Sequence, residues 1–503
     1  MLFFGIVLLL AVTSAPLALA AEGKAGDDTA PQYSEPATKA EISLSSEAAE
    51  KVGDWQSSRP TPSETFPGNR KFRFDENFTS LADPITAAKW PRHKFIPLNR
   101  NAERYLSIGG EIRQSYELAK NPGFGADPED DKGVWLQRYT AHLDAHLNNR
   151  FRIFTQLYSA FANGREGGAS PVDENKLRFQ NAFFEYSQPT TEQLTLKLRV
   201  GRQELEFGSG RLVDVSEGLN VRRTFDAGRL NLASNNWNMS LFASRPIISN
   251  SGSFDDDTNS EVGLWGFYAT GESLHLIGGS LDIYFLGYQN DAASFAQGTA
   301  REDRSSVGAR SFGNAGRWDW NWEALYQFGE FGRGDIRAWT LATDTGYTWE
   351  DAAWTPRLAI NANIASGDKD ADDDDLETFN PLFPRGNYFS SSATLGPYNF
   401  FNVQGFLSFT PVDYLAITVN VDAFWRKETE DGVYRPNGQL LRPVGDSDER
   451  FVSLSTSLSA VWRISRSMSI AVTYEHLEAG AYIREVGSSD DINYFETVFQ
   501  WRF

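Results

Sequence analysis

The sequence predicts an all-β protein, a transmembrane antiparallel up-and-down β-barrel of about 18 strands. Apolar and polar residues alternate along most of the chain after residue 103, which is the period of a strand with one apolar and one polar face. Short and long connections alternate between those strands, as periplasmic turns and extracellular loops do in outer-membrane barrels. The sequence also ends on a strand with an aromatic face. Together these patterns predict a barrel whose outer face meets lipid.

The strand at Asp491 to Phe503 is the clearest of these signals. One of its faces is aromatic and carries Phe495, Phe499, Trp501 and Phe503. A strand this apolar on one side requires lipid or a core to cover it. Outer-membrane barrels close by pairing their last strand with the first. We therefore expect a bacterial outer-membrane protein that contacts lipid and meets the barrel-assembly machinery through this strand.

Residues 1–20 are predicted to be a secretory signal peptide. Leu2 to Leu10 is apolar apart from one glycine, and Ala18-Leu19-Ala20 is a small-residue cleavage site. No Lys or Arg precedes the apolar run, which a signal peptide usually has. The alternative is an uncleaved anchor helix, which the shortness of the apolar run disfavours.

The region between the signal peptide and the barrel is predicted to be loose. Residues 21–75 are rich in Ala, Ser, Pro, Glu and Asp and lack periodicity, and residues 76–103 form a transition. We therefore expect 21–103 to be a disordered or loosely structured periplasmic segment, followed by the barrel over 104–503.

The alternation divides the barrel into eighteen strands. The predicted strands are 104–118, 134–148, 150–162, 176–188, 194–204, 220–231, 236–248, 261–271, 278–290, 302–313, 317–329, 335–348, 354–366, 398–410, 414–427, 450–463, 468–479 and 491–503. The predicted long connections are 119–132, 163–175, 204–219, 249–260, 291–301, 367–397, 428–449 and 480–490. A barrel of roughly 16–18 strands encloses a lumen wide enough for an aqueous channel.

The composition excludes several classes of function. The chain has no Cys, which excludes thiol chemistry, Cys-based zinc sites and disulfides. The net charge of −20 argues against nucleic acid as a partner. Because no Ser-His-Asp order, nucleophile elbow or Gly-rich phosphate loop is present, we expect neither catalysis nor a cofactor.

In a barrel of this size, function lies in the charge and shape of the lumen. Clean alternation predicts these inward-facing residues: Glu111, Arg113, Arg138, His142, Asp144, Arg152, Lys197, Arg199, Arg357, Asp422, Arg426, Arg463 and Arg502. Basic residues outnumber acidic ones in this set, and fixed cations select anions. The alternative for any single Arg is a salt bridge inside the lumen, because an Arg facing lipid costs about 2–4 kcal/mol at the midplane.

Four segments carry a family resemblance: Asn181–Ser187, Leu198–Leu205 with its Gly201-Arg202-Gln203 core, Asn220–Leu230 and Thr378–Pro384. They resemble the alginate export porins of the outer membrane. The resemblance implies an 18-stranded barrel with an Arg-lined constriction that passes an anionic uronate polymer outward. Because the wider family includes barrels with other cargo, the resemblance does not fix what passes through.

By motif, the resemblance implies lumen roles for Arg199, Arg202, Arg222 and Arg223. Arg202 departs from the parity set by the apolar residues before it, which places it past a bulge or at the base of a loop. With the inward-facing positions, the candidate substrate-binding residues are Arg113, Arg138, Arg152, Lys197, Arg199, Arg202, Arg222, Arg223 and Arg357.

Two clusters suggest metal binding. Six Asp lie within eight residues of the segment Gly367 to Asp375, and the candidate Ca²⁺ ligands are Asp368, Asp370, Asp372 and Asp374. The segment lacks the ordered spacing and terminal Glu of an EF-hand, which favours a solvated extracellular loop or one folded inward as a gate. His142 and His146 are about 13 Å apart on a predicted strand, too far to share one ion.

We therefore expect a passive export porin that passes an anionic polysaccharide or acidic oligosaccharide through an Arg-rich lumen. A general nutrient-uptake porin of the same architecture is the alternative within transport. A barrel enzyme is a further class, but no catalytic set is apparent on the strands or loops. A structural or adhesive barrel with a plugged lumen is the last.

Overall fold

The fold is known from a computed structural model that describes residues 70–191, 194–272, 279–370 and 372–503. All of these residues belong to the larger of two compact units, Ser45–Phe503. The predicted signal peptide and residues 21–69 of the predicted loose segment lie outside the described residues.

Eighteen antiparallel strands form one closed sheet. They are β1 (Tyr105–Lys120), β2 (Val134–His146), β3 (Phe151–Asn163), β4 (Asn175–Thr191), β5 (Leu194–Gln203), β6 (Phe225–Ser234), β7 (Trp237–Ile248), β8 (Val262–Glu272), β9 (Ser280–Phe295), β10 (Gly298–Ala315), β11 (Trp318–Phe331), β12 (Gly334–Thr348), β13 (Arg357–Ala365), β14 (Phe400–Val412), β15 (Leu415–Arg426), β16 (Phe451–Arg463), β17 (Met468–Ala479) and β18 (Ile492–Arg502). Each pairs with its neighbours along the chain, and β1 pairs with β18 from Glu111 opposite Arg502 to Lys120 opposite Asn493. The predicted 18-stranded up-and-down barrel is confirmed.

The alternation in sequence becomes an apolar outside and a polar inside. On β2, Trp135, Tyr139 and Leu143 are exposed on the outer face. Arg138 and His142, on the opposite parity, are buried on the inner face. Because adjacent residues of a strand point to opposite faces, the same sequence coats the barrel for lipid and fills its lumen with charge.

The two ends of the barrel differ in their connections. At one end, here the short-turn end, the turns include 147–150 between β2 and β3 and 413–414 between β14 and β15. At the other end, the long-loop end, loops 204–224, 366–399 and 427–450 connect the strands. This sorting is the pattern that the sequence predicts.

The largest differences from the predicted strand boundaries occur in two regions. Residues 291–301, predicted as a long loop, continue β9 and β10 as a hairpin that turns at 296–297. Its polar residues suggested a loop, but strands that project beyond the membrane can be polar on both faces because both are wet. Strand β6 begins at Phe225 rather than at residue 220.

The region from residue 70 to 98, here the N-terminal segment, is ordered rather than loose. It holds the 3₁₀ turns Arg73–Asp75, Thr79–Ala82 and Arg92–Lys94, the short helix Pro84–Ala87 and the two-residue strand Ile96–Pro97, which pairs with β1. Phe74, Phe78 and Leu81 are almost fully buried. These aromatic and aliphatic side chains order the segment because the barrel covers them, which its polar composition does not indicate.

The remaining elements are short. They are the helices Pro122–Gly125 and Ala481–Glu485 and the strands Asp257–Thr258, Val433–Tyr434 and Leu440–Arg442. Within the described residues, no helix has the length and apolar character needed to cross a membrane.

Candidate functional site

Two long loops fold into the lumen and meet there. Asp214 of loop 204–224 donates its backbone N–H to the carbonyl of Phe383 at 2.9 Å. Phe383 of loop 366–399 donates its own N–H to the carbonyl of Leu212, also at 2.9 Å. These reciprocal backbone bonds join the loops as a short sheet ladder would. We call loops 204–224 and 366–399 the constriction.

Buried charges anchor the constriction to the barrel wall. Arg138 on β2 is fully buried and donates to Glu217 Oε1 at 2.6 Å and to Glu111 Oε1 at 3.1 Å. Arg222 Nη1 also lies 2.7 Å from Glu217, and Asn220 Nδ2 donates to the carbonyl of Asp173 at 2.7 Å. Because a buried charge deprived of its partner is costly, this network holds loop 204–224 in one place.

The N-terminal segment occupies part of the lumen below the constriction. The Phe74 ring packs edge-on against Phe154 on β3 and Phe183 on β4, with centroids 5.9 and 5.6 Å apart. The guanidinium of Arg199 on β5 lies 4.6 Å from the centre of the Phe74 ring. All three partners are on the inner face of the wall, so the segment covers a stretch of the predicted basic lining.

The tip of the segment pairs with the constriction itself. Lys71 Nζ forms an ion pair with Glu206 and lies 3.5 Å from Asp214 Oδ2. Burial raises the pKa of Glu206, against the opposing charge of Lys71. Burial also disfavours ionised Asp214, but Lys71 and then Arg385 hold the pKa of Asp214 below its usual value. Of the two carboxyls, Glu206 therefore has the higher pKa and Asp214 the lower.

Seven of the nine predicted lumen residues face inward and are ion-paired. The pairs are Arg113 with Glu496, Arg138 with Glu111, Arg152 with Asp144, Lys197 with Glu185, Arg199 with Glu185, Arg222 with Glu204 and Arg357 with Asp319. The basic excess that parity indicates is therefore largely neutralised by carboxylates of the same lumen. These pairs give the lumen its shape more than its net charge.

Arg223 differs from the other predicted residues. It lies in the constriction, and within the described parts of the chain no carboxylate oxygen comes within 4.0 Å of it. Its Nη1 donates to the carbonyls of Asp214 at 2.8 Å and Pro384 at 3.4 Å, and its guanidinium lies 5.2 Å from the centre of the Phe383 ring. The side chain is half-buried. Carbonyl dipoles orient the guanidinium, and the Asp214 carboxylate favours its charge only from beyond ion-pair distance.

Arg202 lies on the outer face of the barrel. It has the same parity as the exposed Leu198 and Val200, so the predicted departure in parity is wrong, and the register between β5 and β6 runs without a shift from Leu194 to Gln203. Its Nε donates to Asp226 Oδ1 at 3.0 Å. Neither a bulge nor a loop turns this side chain inward, so the structure does not bring it to the lumen set. A position at the end of its strand explains how a charge is tolerated outside.

Sequence reasoning missed two residues. Arg229 on β6 faces inward opposite Arg199, and Nε donates to Asn231 Oδ1 at 2.9 Å. Like Arg223, it has no carboxylate within 4.0 Å in the described ranges. Glu185 on β4 joins Arg152, Lys197 and Arg199. The alternation of apolar residues around Arg229 is the signal that identifies its face.

Some carboxylates of the acidic loop accept hydrogen bonds from the loop's own backbone, whereas Asp368 Oδ2 is buried without a hydrogen-bond partner among the described residues. Asp368 Oδ1 accepts the N–H of Asp370 at 3.1 Å, and Asp370 Oδ1 accepts the N–H of Asp372 at 3.2 Å. Within the described residues, no group of three or more His, Asp or Glu side chains is placed to hold a metal ion. His146 Nε2 lies 3.2 Å from Asp144, while His142 stacks on Phe154.

Comparison with known proteins identifies the family. Residues 104–495 match the alginate export family. The chain belongs to this family. Membership and the barrel together make the protein an outer-membrane channel of the porin type. No curated protein sequence matches the chain.

Several solved outer-membrane barrels have a similar fold. OccD3 (OpdP) of Pseudomonas aeruginosa has a TM-score of 0.54 and 12% identity, over 82% of this chain and 93% of that one. OpdK of the same organism, solved with vanillate, has a TM-score of 0.54 and 8% identity, over 79% and 98%. OccK2 (OpdF), solved with glucuronate, has a TM-score of 0.52 and 9% identity, over 82% and 99%. At this identity the likeness extends to the fold alone.

Proposed function

We propose that the protein is a passive, anion-favouring channel of the outer membrane for an anionic polysaccharide or acidic oligosaccharide. Arg223 carries the proposal. Its guanidinium is half-buried in the constriction and has no ion-pair partner within 4.0 Å among the described residues. A fixed cation at a narrow point lowers the energy of an anion there and raises that of a cation.

The paired and unpaired cations have different roles in this proposal. A salt bridge such as Arg138 with Glu217 cancels most of its own field, so it shapes the constriction without attracting a solute. Arg223 and Arg229 are held mainly by neutral groups, without an ion pair within 4.0 Å among the described residues. Low-dielectric walls strengthen their charge relative to bulk water.

Guanidinium chemistry suits the proposed cargo. Arg presents a planar fork that binds a carboxylate through two parallel hydrogen bonds, and it remains charged at every physiological pH. Each uronate unit of an acidic polysaccharide carries one carboxylate. A channel with isolated guanidiniums therefore offers each passing unit a temporary partner, and weak sequential binding permits release as well as entry.

A nutrient-uptake porin is the second candidate, and the narrowing of the lumen favours it. Loop 204–224, loop 366–399 and the N-terminal segment meet one another inside the lumen. A small acidic solute requires less displacement of these parts than a polymer does. Secretion of polymer by cells that lack the gene, compared with their growth on small uronates, separates export from uptake.

Ion selectivity tests the proposal. The purified protein in a planar bilayer under a KCl gradient is expected to give a reversal potential that favours Cl⁻, and Arg223→Gln is expected to shift it toward K⁺. Arg202→Gln is the matched control, because this Arg lies on the outer face. Cation preference contradicts the proposal. The proposal is also contradicted if neither the wild type nor the Phe74→Ala variant, in which the N-terminal segment is loosened, conducts ions.

A further inference from the structure

A cavity of about 410 Å³ opens at the long-loop end of the lumen. Its walls come from the β9–β10 hairpin, loop 366–399 and loop 427–450. The volume is within the range of roughly 300–1,000 Å³ that is typical of small-molecule sites. No residue of the predicted lumen set lines the cavity, so it is separate from the basic lining described above.

The cavity is lined by aromatic rings, amide side chains and one carboxylate, that of Glu302, which is ion-paired with Arg304. Tyr288 and Tyr398 form its inner wall and are only 7% and 5% exposed, whereas Asn437 and Gln439 are exposed at its mouth. Aromatic rings offer flat apolar surfaces, and an amide both donates and accepts hydrogen bonds. A sugar ring presents C–H groups on its faces and hydroxyls around its edge. The lining therefore matches a sugar better than a purely apolar ligand.

The polar groups of the cavity have hydrogen-bonding capacity left for a ligand. Tyr288 Oη accepts from Asn290 Nδ2 at 3.3 Å and keeps its own hydrogen to donate. Asn437 Oδ1 accepts the N–H of Gln439 at 3.1 Å, which leaves the Asn437 amide nitrogen for other contacts. In the part of the chain that the structure describes, the Tyr398 hydroxyl has only electrostatic neighbours and no hydrogen-bond partner.

Phe383 connects the cavity to Arg223, the cation of the constriction that has no ion-pair partner within 4.0 Å among the described residues. The Tyr288 ring packs edge-on against Phe383 with centroids 5.8 Å apart. The Arg223 guanidinium lies 5.2 Å from the centre of the same Phe383 ring. One aromatic ring therefore separates the cavity wall from a positive charge. Because Arg304 neutralises Glu302, that charge favours an anionic group at this wall.

We propose that this cavity is a sugar-binding site that holds one unit of an acidic oligosaccharide at the long-loop end. Tyr398, Asn437 and Gln439 bind the hydroxyls, and the carboxylate is directed toward Arg223. The inference rests on the proposed anionic-saccharide cargo and adds the place where a unit pauses outside the constriction. The site would be the last to bind the saccharide during export and the first to bind it during uptake.

Calorimetry on the full-length protein in detergent micelles tests the site, with a uronate tetramer as the probe. The double variant Asn437→Ala/Gln439→Ala is expected to weaken binding at least tenfold, and Tyr398→Phe, which removes only a hydroxyl, several-fold. Gln289→Ala is the control, since Gln289 is on the same hairpin but does not line the cavity. It is expected to bind as wild type does. A neutral glucose tetramer is expected to bind more weakly because it lacks the carboxylate.

The outcomes separate this inference from the proposed function. Heat-modifiable migration in gels first establishes that each variant is folded. Binding that the cavity variants leave unchanged, or a wild type that binds no uronate tetramer at millimolar concentration, overturns the site even if the channel favours anions. Cation selectivity in the bilayer overturns the proposed function, whereas calorimetry still decides whether the cavity binds a saccharide.

Discussion

Phe74→Ala is expected to open the channel by releasing the N-terminal segment. The ring is 5% exposed, packs against Phe72, Phe154 and Phe183, and lies beside the Arg199 guanidinium. Truncating a buried Phe to Ala costs about 3–5 kcal/mol. If that loss falls on docking of the segment, even 3 kcal/mol raises the ratio of released to docked segment roughly 100-fold.

Single-channel recording measures this shift. Brief openings that are rare in the wild type are expected to become frequent or continuous in the variant, with larger mean conductance. Ile85→Ala is the control, because Ile85 belongs to the same segment but is 78% exposed. A folded Phe74→Ala protein with wild-type openings would refute the reasoning, since it would show that the segment does not obstruct the ion path.

Three further changes test other parts of the lumen. Arg229→Gln is expected to lower anion selectivity in bilayers, because Arg229 lies beside Phe207 of the constriction without an ion pair within 4.0 Å among the described residues. Arg138→Ala is expected to destabilise loop 204–224 by about 3–5 kcal/mol, measured as faster protease cleavage, because two carboxylates lose their shared guanidinium. Burial and the Asp431 carboxylate raise the pKa of Asp368 to about 7, so its contact with loop 427–450 is expected to weaken as pH rises through 7.

The sign of the pH effect follows from the raised pKa. A carboxyl whose pKa is higher in the docked state favours docking below its ordinary pKa, and that contribution is lost as pH rises through the shifted value. Hydrogen exchange of the Asp368 amide, which donates to Asp431 Oδ2 at 3.0 Å, follows the contact. Asp368→Asn is expected to remove the pH dependence, while Asp372→Asn, at an exposed position, keeps it. If opening of this contact in the wild type does not depend on pH, this account is contradicted.

The strands were predictable because each is specified by its own residues. Alternation alone gives the face of Arg138, and the connections give the sorting of the ends. The entry of loop 204–224 into the lumen was not predictable, because partners far along the chain determine it, such as Phe383. The order of residues 70–98 likewise depends on burial of Phe74 by β3 and β4.

The sequence predicted which side chains of the candidate site face the lumen, but not the net charge that they give it. Parity places Arg152 and Arg199 inward, but it does not reveal that Glu185 pairs with both. A net field depends on distances between strands, which no local pattern contains. Arg202 shows that a motif can also mislead. The family motif suggested a role in the lumen, but the unbroken strand register keeps the side chain on the outer face.

The contact between the N-terminal segment and Phe503 has a consequence for the order of assembly. Arg73 Nη2 donates to the Phe503 carbonyl at 3.0 Å, across 430 positions of sequence, and Phe503 also exchanges backbone bonds with Gly110 of β1. The acceptor is in place only after β18 has joined β1. The closure of the barrel and one anchoring bond of the N-terminal segment therefore depend on the same residue. A barrel in which β18 has not yet paired with β1 lacks this bond, so we expect the segment to dock fully only after closure.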